Sequence, residues 1–249
     1  MGLVHLKSTN DQVKKTSAAD ISGVLEKLAD PVIAAHSQRF FKTGEGEYAQ
    51  GDQFLGIRVP ALRKQANKFK TLDLSEVQLL LNTKIHELRL CALFILIEQF
   101  NRADEDQRGN IIHFYLNNTR NINNWDLVDC SAYKILGEYL KDKDRHILYE
   151  LCESDNLWER RIAIITTLQF IKSDQYTDTL KLAERLINDD HDLIHKAVGW
   201  MLREVGNRNL AIEQQFLNIH YKALPRTMLR YAIEKFPQAT RKKYLSGEV

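Results

Sequence analysis

The stretch from residue 193 to residue 207, LIHKAVGWMLREVGN, decides the fold class. Apolar side chains recur in it at intervals of three and four residues, the spacing of one helix face; these are Ile194, Val198, Met201 and Val205. The same spacing recurs from about residue 18 onward, with short polar connectors, and no segment has the alternation of a strand. Residues 43–53, TGEGEYAQGDQ, are predicted to form a surface loop. The sequence therefore predicts an all-α fold.

Short segments of the chain resemble one another at a regular interval. Each segment is three residues long, and its second and third residues are small or apolar; examples are 90–92 (LCA), 161–163 (RIA) and 196–198 (KAV). The last two lie 35 residues apart and the first two 71, and residues 125–129 fall near the missing register. A period of about 35–45 residues is typical of paired-helix arrays. We predict one domain over residues 18–249, a right-handed α-α superhelix of HEAT-like or armadillo type with a concave groove. Residues 1–17 are expected to form a flexible lead-in.

Composition excludes several classes of protein. Of 249 residues, 44% are apolar and 27% charged, which is typical of neither a disordered chain nor a membrane-embedded one. Only 11 glycines and 4 prolines argue against a β-sandwich or a nucleotide-binding α/β fold. The net charge of +2 does not by itself indicate a nucleic-acid partner. Three cysteines without a CxxC pattern predict reduced thiols, and hence a soluble cytoplasmic protein.

Some side chains fall outside the apolar stripes of their helices. Lys196, Trp200 and Arg203 lie opposite the apolar stripe of residues 193–205. An aromatic ring between cations suits nucleic-acid bases and phosphates, although such a face could also be a second packing surface. In the helix expected over 158–170, Trp158 is predicted to be in the core. Arg161 lies within the apolar arc and either snorkels or points into a groove.

Trp125 and Asp129 are spaced i, i+4 near a predicted helix start at Asn123, so their side chains share a face. Asp129 lies at the edge of the buried face, where the helix dipole favours its ionised form. The pair could instead be a core ring and a local cap.

Sequence signatures of common enzyme sites are missing. Residues 86–90, HELRL, begin like a zinc-binding HExxH motif but lack the second histidine, and His191 with His195 has no third ligand nearby. No GxxxxGK[ST], GxSxG or GxGxxG pattern is present. The sequence therefore predicts no metal and no cofactor.

Five segments, in order along residues 18–240, resemble the AlkD-like DNA alkylation repair glycosylases: 54–60 (FLGIRVP), 124–129 (NWDLVD), 155–161 (DNLWERR), 196–204 (KAVGWMLRE) and 228–232 (MLRYA). The resemblance implies a HEAT-like solenoid that wraps duplex DNA. It also implies excision of cationic alkylpurines such as 3-methyladenine and 7-methylguanine in base excision repair, by a monomer without metal or cofactor. This family does not require base flipping. Asn124 departs from members that carry an aromatic residue there, which leaves the shape of the cleft open.

By resemblance, Asp129 is the catalytic carboxylate, and Trp125 and Trp200 are the aromatic walls beside the lesion. The expected DNA-binding residues are Arg161, Arg203 and Arg230, with Lys196 added from its place on the helix. This hypothesis requires the Asp129 carboxyl to lie half-buried beside the indoles and not in an ion pair inside the core. The alternatives are a non-catalytic DNA-binding relative and a protein-interaction scaffold, for which groove charges of mixed sign are expected.

Overall fold

The computed structural model describes residues 16–249, and every regular element in this range is helical. The backbone pairing outside the helices includes a single isolated bridge, between Gln53 and Ile85. Most of the predicted lead-in, residues 1–17, lies outside the described residues. Ser17 caps the first helix, because its side chain accepts from the Asp20 amide while Asp20 accepts from the Ser17 amide.

Between residues 16 and 118 the structure has six helices: α1 (Ala18–Glu26), α2 (Pro31–Phe40), α3 (Val59–Lys68), α4 (Leu74–Leu81), α5 (His86–Phe100) and α6 (Glu105–Asn117). A 3₁₀ turn (Thr119–Asn121) leads to α7 (Trp125–Ala132), a π-helical turn (Tyr133–Gly137), α8 (Glu138–Leu140) and α9 (His146–Cys152). The remainder comprises α10 (Leu157–Thr166), α11 (Leu168–Ile171), α12 (Thr177–Arg185), α13 (Asp192–Arg208), α14 (Leu210–His220), α15 (Arg226–Ala232), a 3₁₀ turn (Ile233–Lys235) and α16 (Gln238–Ser246).

The helix starts follow from capping side chains. Asp104 caps α6 and Asn156 caps α10, since each side chain accepts a hydrogen bond from the first turn of its helix. The start predicted at Asn123 is wrong by one residue: Asn124 is fully buried, and its side chain accepts from the Trp125 amide at 2.8 Å. Near residue 191 the cap is His191, whose Nδ1 accepts from the Leu193 amide at 3.1 Å.

Two rows of helices build the fold. In the first row α5, α7, α10, α13 and α15 pack in succession, each against the next. In the second row α4 and α6 pack on α5, α9 packs on α10, and α12 and α14 pack on α13. The recurring segments 90–92, 161–163 and 196–198 all lie on first-row helices, as do residues 125–129. The all-α fold of paired helices is confirmed, and the concave groove stays a prediction.

Close contact between α13 and α15 depends on a glycine. A Cβ at Gly199 would lie 2.5 Å from both the Met228 carbonyl oxygen and the Tyr231 Cβ. No side chain therefore fits between the two helices at this level. The neighbouring residue Trp200 and the facing residue Tyr231 are thereby brought to the same cavity. Trp158, predicted to be in the core, is buried.

Candidate active site

A cavity of about 550 Å³ lies where α7, α10, α13 and α15 meet the end of α2 and the loop that follows it. Six of the seven residues singled out from the sequence line it: Trp125, Asp129, Arg161, Lys196, Trp200 and Arg203. Arg230 is not among the lining residues, and its side chain is exposed on α15. The next residue, Tyr231, lines the cavity instead.

Asp129 and Arg161 form a two-pronged ion pair in the cavity wall. Arg161 Nε donates to Asp129 Oδ1 at 2.8 Å and Nη2 donates to Oδ2 at 2.7 Å. The Arg161 side chain is 5% exposed and that of Asp129 is 18% exposed, so the carboxylate is the more exposed partner at the cavity wall. Burial raises the pKa of Asp129, and the Arg161 guanidinium opposes that rise.

The ion pair changes the interpretation of Arg161. Its Nη1 also donates to the Leu193 carbonyl oxygen at the start of α13. Three of the five N–H groups of the guanidinium are thus bound to α7 and α13 within the protein, so its observed contacts do not favour binding to a phosphate. The Asp129 carboxyl meets the expectation of a half-buried place on the cavity, but it is paired.

Aromatic rings form one side of the cavity. Trp125 stacks on Phe41 with ring centres 5.2 Å apart and planes at 18°, and it meets the edge of Phe40 at 6.0 Å. Phe40 is 58% exposed and lines the cavity, whereas Phe41 lies behind Trp125. Trp200 also lines the cavity, and its indole N–H donates to Glu204 at 2.9 Å. Tyr48 joins this wall from the loop at residues 43–53, and burial raises the pKa of its hydroxyl.

The start of α7 is held by a buried charged network. His86 Nε2 lies 2.8 Å from Asp126 Oδ2, and Nδ1 lies 3.5 Å from Asp52 Oδ2. Burial lowers the pKa of His86, but the two carboxylates outweigh burial and raise it to about 9. The same imidazole stacks on Phe54 at 4.6 Å, and Phe54 stacks on Phe41 behind Trp125. His86 thus fixes both the first turn of α7 and the ring behind the indole.

Glu87 also builds the scaffold. Its carboxylate accepts from the backbone amides of Leu55, Gly56 and Ile57 at 2.9, 2.7 and 3.2 Å. Gly56 has φ +81, and a Cβ there would lie 2.1 Å from the Asp30 carbonyl oxygen. The HELRL motif therefore anchors the segment after the loop to α5.

The cations at the cavity differ in their partners. Lys196 pairs with Asp192 at 2.6 Å, and Arg203 pairs with Glu234 of the 3₁₀ turn after α15. Lys42 lines the cavity, is exposed, and takes part in no ion pair with another described residue. Three of the four lining cations are thus neutralised, which gives the wall a mixed charge.

Sequence reasoning missed seven cavity residues: Phe40, Lys42, Tyr48, Tyr231, and the three at the start of α13, His191, Asp192 and Leu193. Phe40 and Lys42 flank the end of α2, and Tyr48 lies in the loop, where helical periodicity predicts no direction for a side chain. Tyr231 lies in a segment that the sequence singled out through its neighbour Arg230. An aromatic residue within the polar loop was the signal available for Tyr48.

Residues 16–249 hold no features of a metal site or a membrane-spanning helix. In that range no group of three or more His, Cys, Asp or Glu side chains is arranged to hold a metal ion. No helix in the described part of the chain is long and apolar enough to span a membrane. Cys91, Cys130 and Cys152 are all free.

Comparison with known proteins places the chain in a family. The family model for the DNA alkylation repair enzyme matches residues 21–236. The chain belongs to the DNA alkylation repair enzyme family. A solved structure described as a predicted DNA alkylation repair enzyme from Enterococcus faecalis has the same fold, with a TM-score of 0.65 and 18% identity over 84% of this chain and 97% of that one. The comparison with curated proteins gives no match. Membership of the DNA alkylation repair enzyme family implies a DNA substrate.

Proposed function

We propose that this protein is a monofunctional DNA glycosylase that releases cationic alkylpurines, such as 3-methyladenine and 7-methylguanine, from duplex DNA. The observation that carries the proposal is a fixed carboxylate, Asp129, at the wall of a cavity that also holds Trp125 and Trp200. Family membership supports a repair enzyme. To family membership the proposal adds the reaction that the enzyme catalyses and the residues that carry it out.

The chemistry needs few groups. A purine alkylated at N3 or N7 carries a positive charge and leaves as a neutral base, so no proton donor is required. Positive charge then develops on the deoxyribose as the glycosidic bond stretches. A carboxylate fixed near that centre stabilises the oxocarbenium-like transition state and orients the attacking water. Asp129 is suited to this because its side chain is held on both oxygens yet remains 18% exposed to the cavity.

Arg161 acts in this proposal as a positioning residue. Two parallel hydrogen bonds fix the plane of the Asp129 carboxylate, and an adjacent cation favours its ionised form despite burial. The cost is that the guanidinium offsets part of the carboxylate field within the cavity. Because Arg161 is the more deeply buried partner, the negative end of the pair is turned toward the substrate.

Ring faces select the lesion. A cation over an indole face is stabilised by roughly 0.5–2 kcal/mol, depending on desolvation. Trp125 and Trp200 therefore favour the cationic alkylated base over its neutral parent. Phe40, Tyr48 and Tyr231 extend the aromatic lining, so the cavity accepts a flat base even though Asn124 serves as a helix cap and not as a wall.

The proposed setting is duplex DNA bound by a monomer in the concave groove, in the cytoplasm at the nucleoid. Arg203, Lys196 and the exposed Arg230 provide the sequence-independent contacts to phosphates in this arrangement. Such contacts require Lys196 and Arg203 to exchange their carboxylate partners for phosphate. The resulting affinity decreases with salt.

A second candidate is a non-catalytic member of the fold. The paired cations give the cavity the mixed charge expected of a protein-interaction scaffold, and the Asp129–Arg161 pair occupies both carboxylate oxygens. A DNA-binding relative without catalysis differs from such a scaffold because its contacts to DNA are salt-sensitive.

One assay separates the candidates. The wild-type protein is incubated with duplex DNA that contains 7-methylguanine, and the products are resolved by chromatography and by alkaline cleavage of the strand. We expect free 7-methylguanine and an abasic site, with no strand break before alkali. Salt-sensitive binding without base release would support the non-catalytic DNA-binding protein, and no DNA affinity at all would support the scaffold.

A further inference from the structure

We propose that Lys42 binds a backbone phosphate of DNA at the mouth of the cavity. This inference rests on the proposed function, because it names the residue that anchors the substrate of that site. Neither the helical pattern nor the recurring segments mark this residue.

The position of Lys42 is the first observation. It follows the helix C-cap Phe41 directly, between Phe40 on α2 and Tyr48 in the loop, and all three of Phe40, Lys42 and Tyr48 line the cavity. Lys42 is exposed, so its ammonium lies at the open edge of the site. An extended lysine at this edge can reach an anion that enters with a base.

The backbone of Lys42 is the second observation. Its φ is +53, and among described residues other than glycine only Asp174 shares a positive φ. The position after a helix C-cap commonly adopts this left-handed conformation and is usually glycine, since a Cβ there is strained. The backbone contacts of Lys42 are an amide bond to the Arg39 carbonyl and acceptance from the Ala49 amide. Glycine would keep both contacts, so the backbone itself does not require a lysine at this position.

The charge of Lys42 is the third observation. Arg161, Lys196 and Arg203 are each held by a carboxylate, whereas no carboxylate of residues 16–249 pairs with Lys42. An unpaired ammonium at the edge of an aromatic cavity is free to bind an anion without first breaking an ion pair. The anion that a flat base brings with it is a phosphodiester, for which lysine is a compact point-charge partner.

Replacement of Lys42 by glycine tests this, because the two proposed effects have opposite signs. Removal of the strain should raise the midpoint of thermal unfolding by about 2–4 °C. Removal of the charge should weaken binding to a duplex with a stable abasic analogue on the order of threefold to tenfold, and lower the slope of log Kd against log salt by about one. Lys42→Gln should weaken binding equally, and Lys42→Arg should restore it.

Two matched controls separate charge from backbone. Asp174→Gly makes the same backbone correction away from the cavity but also removes the hydrogen bond that Asp174 accepts from the Tyr176 hydroxyl at 2.7 Å, and it should leave DNA binding unchanged. Lys181→Gln removes an exposed lysine from α12 in the second row, and should leave the salt slope unchanged.

An unchanged affinity and salt slope for Lys42→Gln would overturn the assignment, as would an equal loss for Lys181→Gln. If the wild type binds duplex DNA and releases the alkylated base while the Lys42 variants do the same with equal affinity, only this inference fails. If the wild type does not bind duplex DNA, the proposed function fails with it.

Discussion

Replacing His86 with glutamine removes a buried charge that holds the start of α7. The imidazole is 2% exposed and lies between Asp126 on α7 and Asp52 in the loop, at 2.8 and 3.5 Å. Arg89, which pairs with Asp52, is the facing cation and opposes protonation of the imidazole. Although burial lowers the pKa of His86, the two carboxylates raise it to about 9, so the ring is charged at neutral pH.

The size and sign of the effect follow from this pKa. The ordinary value is 6.5, and each pKa unit corresponds to about 1.4 kcal/mol, so the shift to about 9 amounts to about 3 kcal/mol. Because the folded state holds the proton more tightly, this stabilisation is fully present below pH 6.5 and is lost as the pH rises through 9.

The assay is urea unfolding of the wild type and of His86→Gln at several pH values from 6 to 10. Between pH 6 and pH 10 the free energy of unfolding of the wild type should fall by about 3 kcal/mol more than that of the variant. Glu213, whose pKa burial raises to about 8, titrates in the same window but is common to both proteins and cancels in the difference. Parallel pH profiles for the two proteins would refute a charged His86.

Two further substitutions test the positioning role of Arg161 and the raised pKa of Glu213. Arg161→Lys retains a cation but not the two parallel hydrogen bonds to Asp129, so the rate of base release should fall by about tenfold or more. The dependence of DNA binding on salt should be unchanged, and a shallower dependence would show that Arg161 binds a phosphate. Glu213→Gln should raise the free energy of unfolding by up to about 3 kcal/mol at pH 7, since a folded pKa of about 8 against the ordinary 4.5 costs stability as the pH rises above 4.5. Arg203 opposes this rise in pKa without cancelling it. Urea unfolding at pH 7 measures the gain, and its absence would contradict a raised pKa for Glu213.

Helical periodicity was sufficient to predict which side chains of α7 and α13 face the candidate site. The side chains of Lys196, Trp200 and Arg203 leave α13 on the face opposite its apolar stripe, and all three line the cavity. The direction of a side chain on a regular helix is fixed by its position, so no knowledge of the partner helix was needed. Trp125 and Asp129 are brought to the same cavity for the same reason.

The pairing of Asp129 with Arg161 could not be obtained in this way. The two residues lie 32 positions apart, and their contact depends on how α7 crosses α10. The sequence did carry a hint, because an arginine within an apolar arc must find an anion once it is buried. Its assignment to DNA followed from resemblance, and the structure gives it a partner inside the protein.

The cavity residues at the end of α2 and in the loop after it could not be predicted from the sequence either. Phe40, Lys42 and Tyr48 reach the cavity through the end of α2 and the irregular segment after it, where the path of the chain is set by tertiary contacts. One such contact is the Tyr48 ring on Trp158, at 6.0 Å. Arg230 shows the reverse case, since a basic residue in a recognised segment points away from the cavity that its neighbour Tyr231 lines.

The central claim is that the Asp129 carboxylate stabilises the charge that develops on the sugar. Its most direct test is the single-turnover rate of 7-methylguanine release by the wild type and by Asp129→Asn, at a temperature where circular dichroism shows both to be folded. Asparagine has the same shape but no charge, and it can accept only one of the two Arg161 hydrogen bonds, so the rate should fall at least ~100-fold while the affinity for the lesion duplex changes little. Equal rates for the two proteins would contradict the account.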